Sequence, residues 1–326
     1  MEGLREGMKA SVLVELWPQV RKAVKRWPEA ISELREVKKK VEGWISASEK
    51  APRGLKYLVN WFAGWPEVMR SAASELGWQV VAVDNREGFG PPHELNIKME
   101  LLMIAPQFWR LEAARLLGVS VLRLGPNWFA IPCTTTSRPD PSNRTMNGVE
   151  VFNNYRSLED TFRGPQHGVG TTQGDKARET NRIVACVTWV TEDCNESYGI
   201  ENPDAAMQYL ELMAARVEWM NRLDYCRLWS KEEREMGLLW QKPTCLWTRR
   251  KDGEKWKLNS RLKCRRKCAC RKGDTREHLG RVELMTEMVE RTGRSREELK
   301  CRYPKELLVR WLGWVAQAEH NMPCLV

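Results

Sequence analysis

Trp128-Phe129-Ala130-Ile131-Pro132-Cys133 reads as a buried strand that ends by presenting a thiol beside a rigid proline. A cysteine in that setting is a candidate soft nucleophile, because the thiolate rather than the thiol attacks electron-poor carbon. A buried structural cysteine is the plain alternative. A second strand end, Tyr198-Gly199-Ile200 followed by Glu201-Asn202-Pro203, offers a carboxyl able to hold or share a proton, with Asn202 and Pro203 fixing the loop. Asn-Pro is also a common turn. Two further strand ends suit a nucleotide-like ligand. The run Leu58 to Phe62 leads into Ala63-Gly64, where a glycine turn lets backbone approach a ligand; the run ending in Val83 stops on Asp84-Asn85, an acid placed to accept ribose hydroxyls. For Phe62-Ala63-Gly64 the alternative is an ordinary packing turn.

These ends meet only if the strands share one open parallel sheet, whose ligand crevice lies at the carboxyl ends. The pattern from Leu55 onward predicts it: a strand into Phe62, an amphipathic helix from Pro66 to Leu76, Gly77 as helix stop, and a strand from Trp78 to Val83 make one βαβ unit. Residues 98–117 read as helix, and Val119 to Ala130 as one or two strands around Gly125-Pro126. Residues 134–180, rich in Thr, Ser, Asn, Gly and Pro without sustained period, read as a long functional or mobile loop. A helix from Thr180 to Val190, a short strand from Ser197 to Ile200 and a helix from Ala205 to Trp219 follow. Leu223 to Trp229 and Thr244 to Thr248 read as late strands, and Val282 to Arg291 and Lys305 to Glu319 as helices. Residues 8–50 read as two basic amphipathic helices, with Pro18 and Pro28 at starts or kinks. The expected organisation is an N-terminal basic helical extension over 1–54, an α/β core over 55–250, and a basic cysteine-bearing segment with C-terminal helices over 251–326.

The chain's 326 residues accommodate one large α/β domain with appendages or two smaller ones. Its net charge of +10, with Lys and Arg concentrated in 21–56 and 249–310, suits a polyanion such as nucleic acid better than a metabolite. Solvated helices show the same excess. No apolar run reaches the roughly eighteen residues that a membrane span needs. The charged start, Met1-Glu2-Gly3-Leu4-Arg5-Glu6, argues against a secretory or transit signal, so the expected location is intracellular: nucleus in a eukaryote, cytoplasm in a bacterium or virus. The ten cysteines then read as reduced thiols. One cluster stands apart. Cys264, Cys268, Cys270 and His278 could complete a tetrahedral structural zinc site, although the spacing is not a paired Cys-x2-Cys knuckle and free surface thiols are the alternative. The surrounding arginines and lysines would press on phosphates with or without metal.

Taken in chain order, the glycine-ended strand, the acid-ended strand, Ile131-Pro132-Cys133 and Glu201-Asn202-Pro203 resemble the DNA cytosine-5 methyltransferase family over roughly residues 55–250. The resemblance implies a doubly wound, mostly parallel, Rossmann-like fold dependent on S-adenosylmethionine. It implies transfer of a methyl group to carbon 5 of a flipped cytosine in DNA through a covalent cysteine adduct. Cys133 matches the nucleophile of the family's Pro-Pro-Cys motif, with Pro132 beside it. Glu201 matches the carboxyl at the ring nitrogen, with Asn202 and Pro203 holding the substrate loop. Phe62, Ala63 and Gly64 match the cofactor turn, and Asp84 and Asn85 the ribose-binding strand end. Gln241 to Thr248 resembles the Lys/Arg-x-Thr-x-x-Trp-Thr version of a later strand, which makes Lys242 and Thr244 candidate contacts near the target base; a buried edge strand explains Thr244 equally well. Trp65-Pro66 stands where the family has a second glycine, Thr134 to Ser137 replaces Gln-x-Phe-Ser, and the Arg-x-Arg strand is missing in standard form. Two other readings share these residues: an RNA cytosine-5 methyltransferase, and a catalytically inactive methyltransferase-like protein that binds nucleic acid.

Overall fold

Short apolar runs such as Leu58-Val59 and Val80 to Val83 have the composition of parallel strands covered on both faces. In the computed structural model they form β1 (Tyr57–Trp61) and β2 (Gln79–Asp84), joined by helix α1 (Glu67–Ser74). The structure describes residues 57–63, 65–84, 95–96, 109–110, 113, 117, 124–133, 145–146, 149–153, 156–157, 172–193, 196–236, 238, 242–258, 262–264, 286, 289–290, 292–295, 298–299 and 302–320. The basic helices expected over 8–50 lie outside them, as do Gly64, Asn85, Cys268, Cys270 and His278. Pro66 opens α1 by accepting the Arg70 N–H at 2.9 Å. The helix closes in a Schellman arrangement, with Trp78 N–H on Ala73 O at 2.9 Å and Gly77 N–H on Ser74 O at 3.1 Å; Gly77 takes the left-handed φ of 71° that this stop requires.

The main sheet adds β3 (Leu95–Asn96), β4 (Leu124–Ala130), β8 (Tyr198–Pro203), β9 (Met220–Asp224) and β10 (Pro243–Arg249). Its seven strands run in the order β3-β2-β1-β4-β8-β10-β9. All neighbours from β3 to β8 are parallel, and β10 is antiparallel to both β8 and β9. This is an α/β architecture on a mixed, mostly parallel sheet, consistent with a doubly wound, Rossmann-like arrangement. Strand order reverses between β1 and β4, the switch point at whose carboxyl ends open parallel sheets bind their ligands. A second, small sheet is built from β5 (Thr145–Met146), β6 (Val149–Asn153) and β7 (Arg156–Ser157).

Two layers cover the main sheet. Helix α2 (Thr172–Asp193) supplies Ile183, Val184, Val187 and Val190 to a core with Val59, Trp61, Val81, Phe129, Ile200 and Trp247. On the opposite face, α1 and the C-terminal helix α3 (Lys305–His320) bring Met69, Leu307, Leu308, Trp311 and Leu312 against Leu58, Trp128 and Leu246. Adjacent strand residues alternate between these cores because the side-chain period of a strand is two. At Gly199 the sheet and α3 meet closely: a Cβ there would lie 2.6 Å from the Trp128 ring and 3.3 Å from Trp311.

Among the described residues a single strand passes through Gly125-Pro126, within the one or two expected, and its register shifts against β1 at that point, since proline has no N–H for the ladder. Arg110 donates to the carbonyls of Leu124 and Gly125 there. Several expected elements differ. Helix α2 begins at Thr172 rather than Thr180, and β5 to β7 lie within the stretch expected to be loop. Ala205 to Trp219 is not one helix. It breaks into turns at Ala206–Tyr209, Glu211–Ala214 and Val217–Trp219, with Leu210 extended at ψ 132°. The buried residues Met207, Leu210 and Met213 recur every third position, which suits 3₁₀ turns better than a continuous α-helix. The strand expected over Leu223 to Trp229 ends at Asp224, and Tyr225–Arg227 is a 3₁₀ turn. Finally, β10 is an interior strand rather than an edge.

Candidate active site

Ala130 lies opposite Glu201 in the β4–β8 ladder, so the two strands end side by side. Beyond that pair the buried Asn202 side chain donates through Nδ2 to Ile131 O at 3.0 Å. The bond ties the Glu-Asn-Pro strand end to the Pro-Cys strand end. Pro132 and Cys133 follow the tied carbonyl directly, and both are half-buried, as is Pro203.

Glu201 is 5% exposed, and its carboxylate is held from within the chain. Tyr225 Oη donates to Oε1 at 2.8 Å, and Lys242 Nζ stands 3.3 Å from the same oxygen. The ammonium also lies over the Tyr225 ring, 4.9 Å from its centroid, and 5.9 Å from that of Tyr303. An ion pair at this depth needs such additional partners to offset desolvation. Burial first, then the neighbouring Glu201 and Tyr303, push the Tyr225 phenol well above its ordinary range, so it stays protonated and remains a donor near neutral pH. Thr244 is fully buried, and its hydroxyl donates to Lys242 O at 3.1 Å. Sequence reasoning singled out Glu201, and Lys242 as a contact near the target base, but neither their pairing nor Tyr225. No motif marks Tyr225; it arrives because β9 ends at Asp224 opposite Pro243, where Tyr225 N–H bonds Lys242 O at 3.2 Å.

Five cysteines are described: Cys133, Cys186, Cys226, Cys245 and Cys264. Burial pushes the thiols of Cys186 and Cys245 up to about 12, which keeps both un-ionised near neutral pH. Cys226 is buried, and half-buried Cys264 packs against it with its N–H on Asp224 Oδ2 at 2.8 Å. Among the described cysteines, Cys133 alone is both half-exposed and at the carboxyl end of a parallel strand. Of the expected zinc ligands only Cys264 falls among the described residues, and no group of three metal-ligating side chains occurs among them. No helix among the described residues is long and apolar enough to cross a membrane.

Across the switch point, β1 ends in a distorted turn. Phe62 adopts φ 57°, an unusual conformation for a bulky residue, and its ring packs edge-on to Trp109 at 6.0 Å. Ala63 N–H bonds Val83 O at 3.1 Å, which brings the turn beside the buried Asp84. Asn60, two residues before Phe62, is 1% exposed, and neither its Oδ1 nor its Nδ2 has a hydrogen-bond partner among the described residues. Its side chain points to the same sheet face as that of Asp84, because Asn60 pairs with Ala82 and strand residues alternate. Phe62, Ala63 and Asp84 are therefore brought together at one rim, and Cys133, Asn202, Glu201 and Lys242 at the neighbouring one.

No family model matches this chain, and neither does any curated protein.

Proposed function

We propose that the chain is a divergent S-adenosylmethionine-dependent DNA (cytosine-5) methyltransferase. The observation that carries the reading is the Asn202–Ile131 bond, which ties the Glu201 and Cys133 strand ends together beside the switch point of the sheet. A nucleophile and an acid-base group on adjacent strand ends are what attack on a flipped pyrimidine needs. The Cys133 thiolate forms a bond to carbon 6 of cytosine, and the electrons of the 5,6 double bond move toward the ring nitrogen faced by Glu201. Carbon 5 becomes nucleophilic and takes the methyl group. Loss of the carbon 5 proton to solvent then restores the double bond and expels the Cys133 thiolate. S-Adenosylmethionine, when bound, would supply an electrophilic methyl group from its sulfonium sulfur, which would leave as the neutral thioether.

The residues at the β1–β2 rim fit that cofactor. Asp84 offers an acceptor for vicinal hydroxyls at the end of the second strand, and the Asn60 amide, without a partner among the described residues, offers a donor and an acceptor in a desolvated setting. The formal charge of +10 supports a nucleic acid as substrate.

The test is covalent trapping on an oligonucleotide carrying 5-fluorocytosine. Fluorine at carbon 5 blocks elimination, so protein and DNA stay joined in a cofactor-dependent manner. Cys133→Ser removes the adduct, because a serine hydroxyl is largely un-ionised near neutral pH. Equal trapping by wild type and C133S assigns the nucleophile elsewhere. Trapping on the matched RNA but not the DNA makes the substrate RNA. Absence of any adduct with cofactor bound leaves only a nucleic-acid-binding scaffold.

A further inference from the structure

We infer that Tyr225 is a positioning residue for the proposed methyl transfer, fixing the Glu201 carboxylate so that one oxygen is anchored inward and the other is left for the substrate base. The assignment rests on the reading above. Both internal contacts of the carboxylate fall on Oε1, where Tyr225 Oη donates at 2.8 Å and Lys242 Nζ approaches to 3.3 Å. Oε2 takes no hydrogen bond from the described residues. A carboxylate held by one donor can swing about its terminal torsion, which is broad and two-fold. Two donors on the same oxygen, from different strand ends, remove that freedom.

Tyr225 is itself held in place. Its ring is fully buried, edge-on to Trp229 at 5.9 Å and to Tyr303 at 6.5 Å, and it carries the Lys242 ammonium on its face at 4.9 Å. The phenol therefore acts twice on Glu201, directly through its hydroxyl and indirectly by seating the lysine that supplies the countercharge. Tyr225 does not need to touch the base. Its effect passes through Glu201, and so it should disappear when Glu201 can no longer play its part.

That dependence is the test. Adduct formation on 5-fluorocytosine DNA is followed in single turnover for wild type, Y225F, E201Q and the double variant, with cofactor and DNA affinities measured alongside. Phenylalanine keeps the ring and its packing. Y225F is expected to slow adduct formation by about 10- to 100-fold, the usual effect of losing a hydrogen bond to a charged group, with both affinities unchanged. In the E201Q background the same substitution is expected to slow it less than about threefold. Equal rates for wild type and Y225F overturn the assignment, as does an undiminished Y225F effect on E201Q, which marks a purely structural tyrosine. A wild-type protein that forms no adduct sinks the methyltransferase reading instead, and this assignment with it.

Discussion

At the end of β8 the chain supplies Glu201 with a phenol, an ammonium and a tied neighbouring strand, whereas at the end of β1 the Asn60 amide has no partner among the described residues and Phe62 is held at φ 57°. The two rims belong to one sheet and are separated by β4. A bulky residue in the left-handed region costs about 1–3 kcal/mol, and an unsatisfied buried polar group costs a similar amount. The β8–β10 rim anchors one oxygen of its buried carboxylate in a charge-paired network, the kind of fixed geometry that a preorganised reacting group needs. The β1–β2 rim carries the Asn60 amide, whose missing hydrogen bonds a ligand could supply. The contrast is between a carboxylate anchored from within the chain and a buried amide with no partner among the described residues.

Removing what both rims share has the largest expected effect. Trp311 of α3 packs on Trp128 of β4 with ring centroids 4.8 Å apart, fully buried beneath both strand ends. Trp311→Ala is expected to cost about 3–5 kcal/mol of stability, measured by denaturant unfolding. A much smaller loss would mean that α3 is not part of the wall that aligns the two rims.

The next effect is confined to the β1–β2 rim. Asp84→Ala is expected to weaken S-adenosylmethionine binding by about 1.5–3 kcal/mol in calorimetry, with folding retained, since a charge-assisted contact is lost. Unchanged affinity in a folded variant would move the cofactor away from this rim. The smallest effect has two signs. Asn60→Leu replaces an unsatisfied amide by an apolar group of similar size, so it is expected to raise the melting temperature of ligand-free protein by the equivalent of about 1 kcal/mol while lowering cofactor affinity. A fall in both would show that the amide is satisfied by the chain, and the contrast between the rims would collapse.

Much of the scaffold was legible in the sequence because its causes are local. Gly77 stops α1 through its own backbone freedom, and the apolar runs of β1 and β2 are long enough for strands and too short for helices. Pro132 and Pro203 mark where β4 and β8 give out, so the strand ends bearing Cys133 and Glu201 could be found without a structure. The extent of α2 and the break-up of Ala205 to Trp219 were not legible. In α2 the additional N-terminal turns include polar residues and Gly174, which weaken the periodic signal. From Met207 to Met213 a three-residue apolar repeat over a short span imitates half of a helical pattern.

The sequence by itself determined which chemistry-bearing side chains sit at strand ends, because strand length, glycine stops and proline breaks act within a few residues. Tertiary structure decided which of those ends become neighbours. The pairing of β4 with β8 and the antiparallel insertion of β10 between β8 and β9 bring Asn202 to Ile131, and Lys242 and Tyr225 to Glu201. Those contacts depend on burial of two hydrophobic faces by α2 on one side and α1 with α3 on the other. Burial is a property of the assembled layers, and the low polarity it creates is what gives an ammonium and a phenol their hold on one carboxylate.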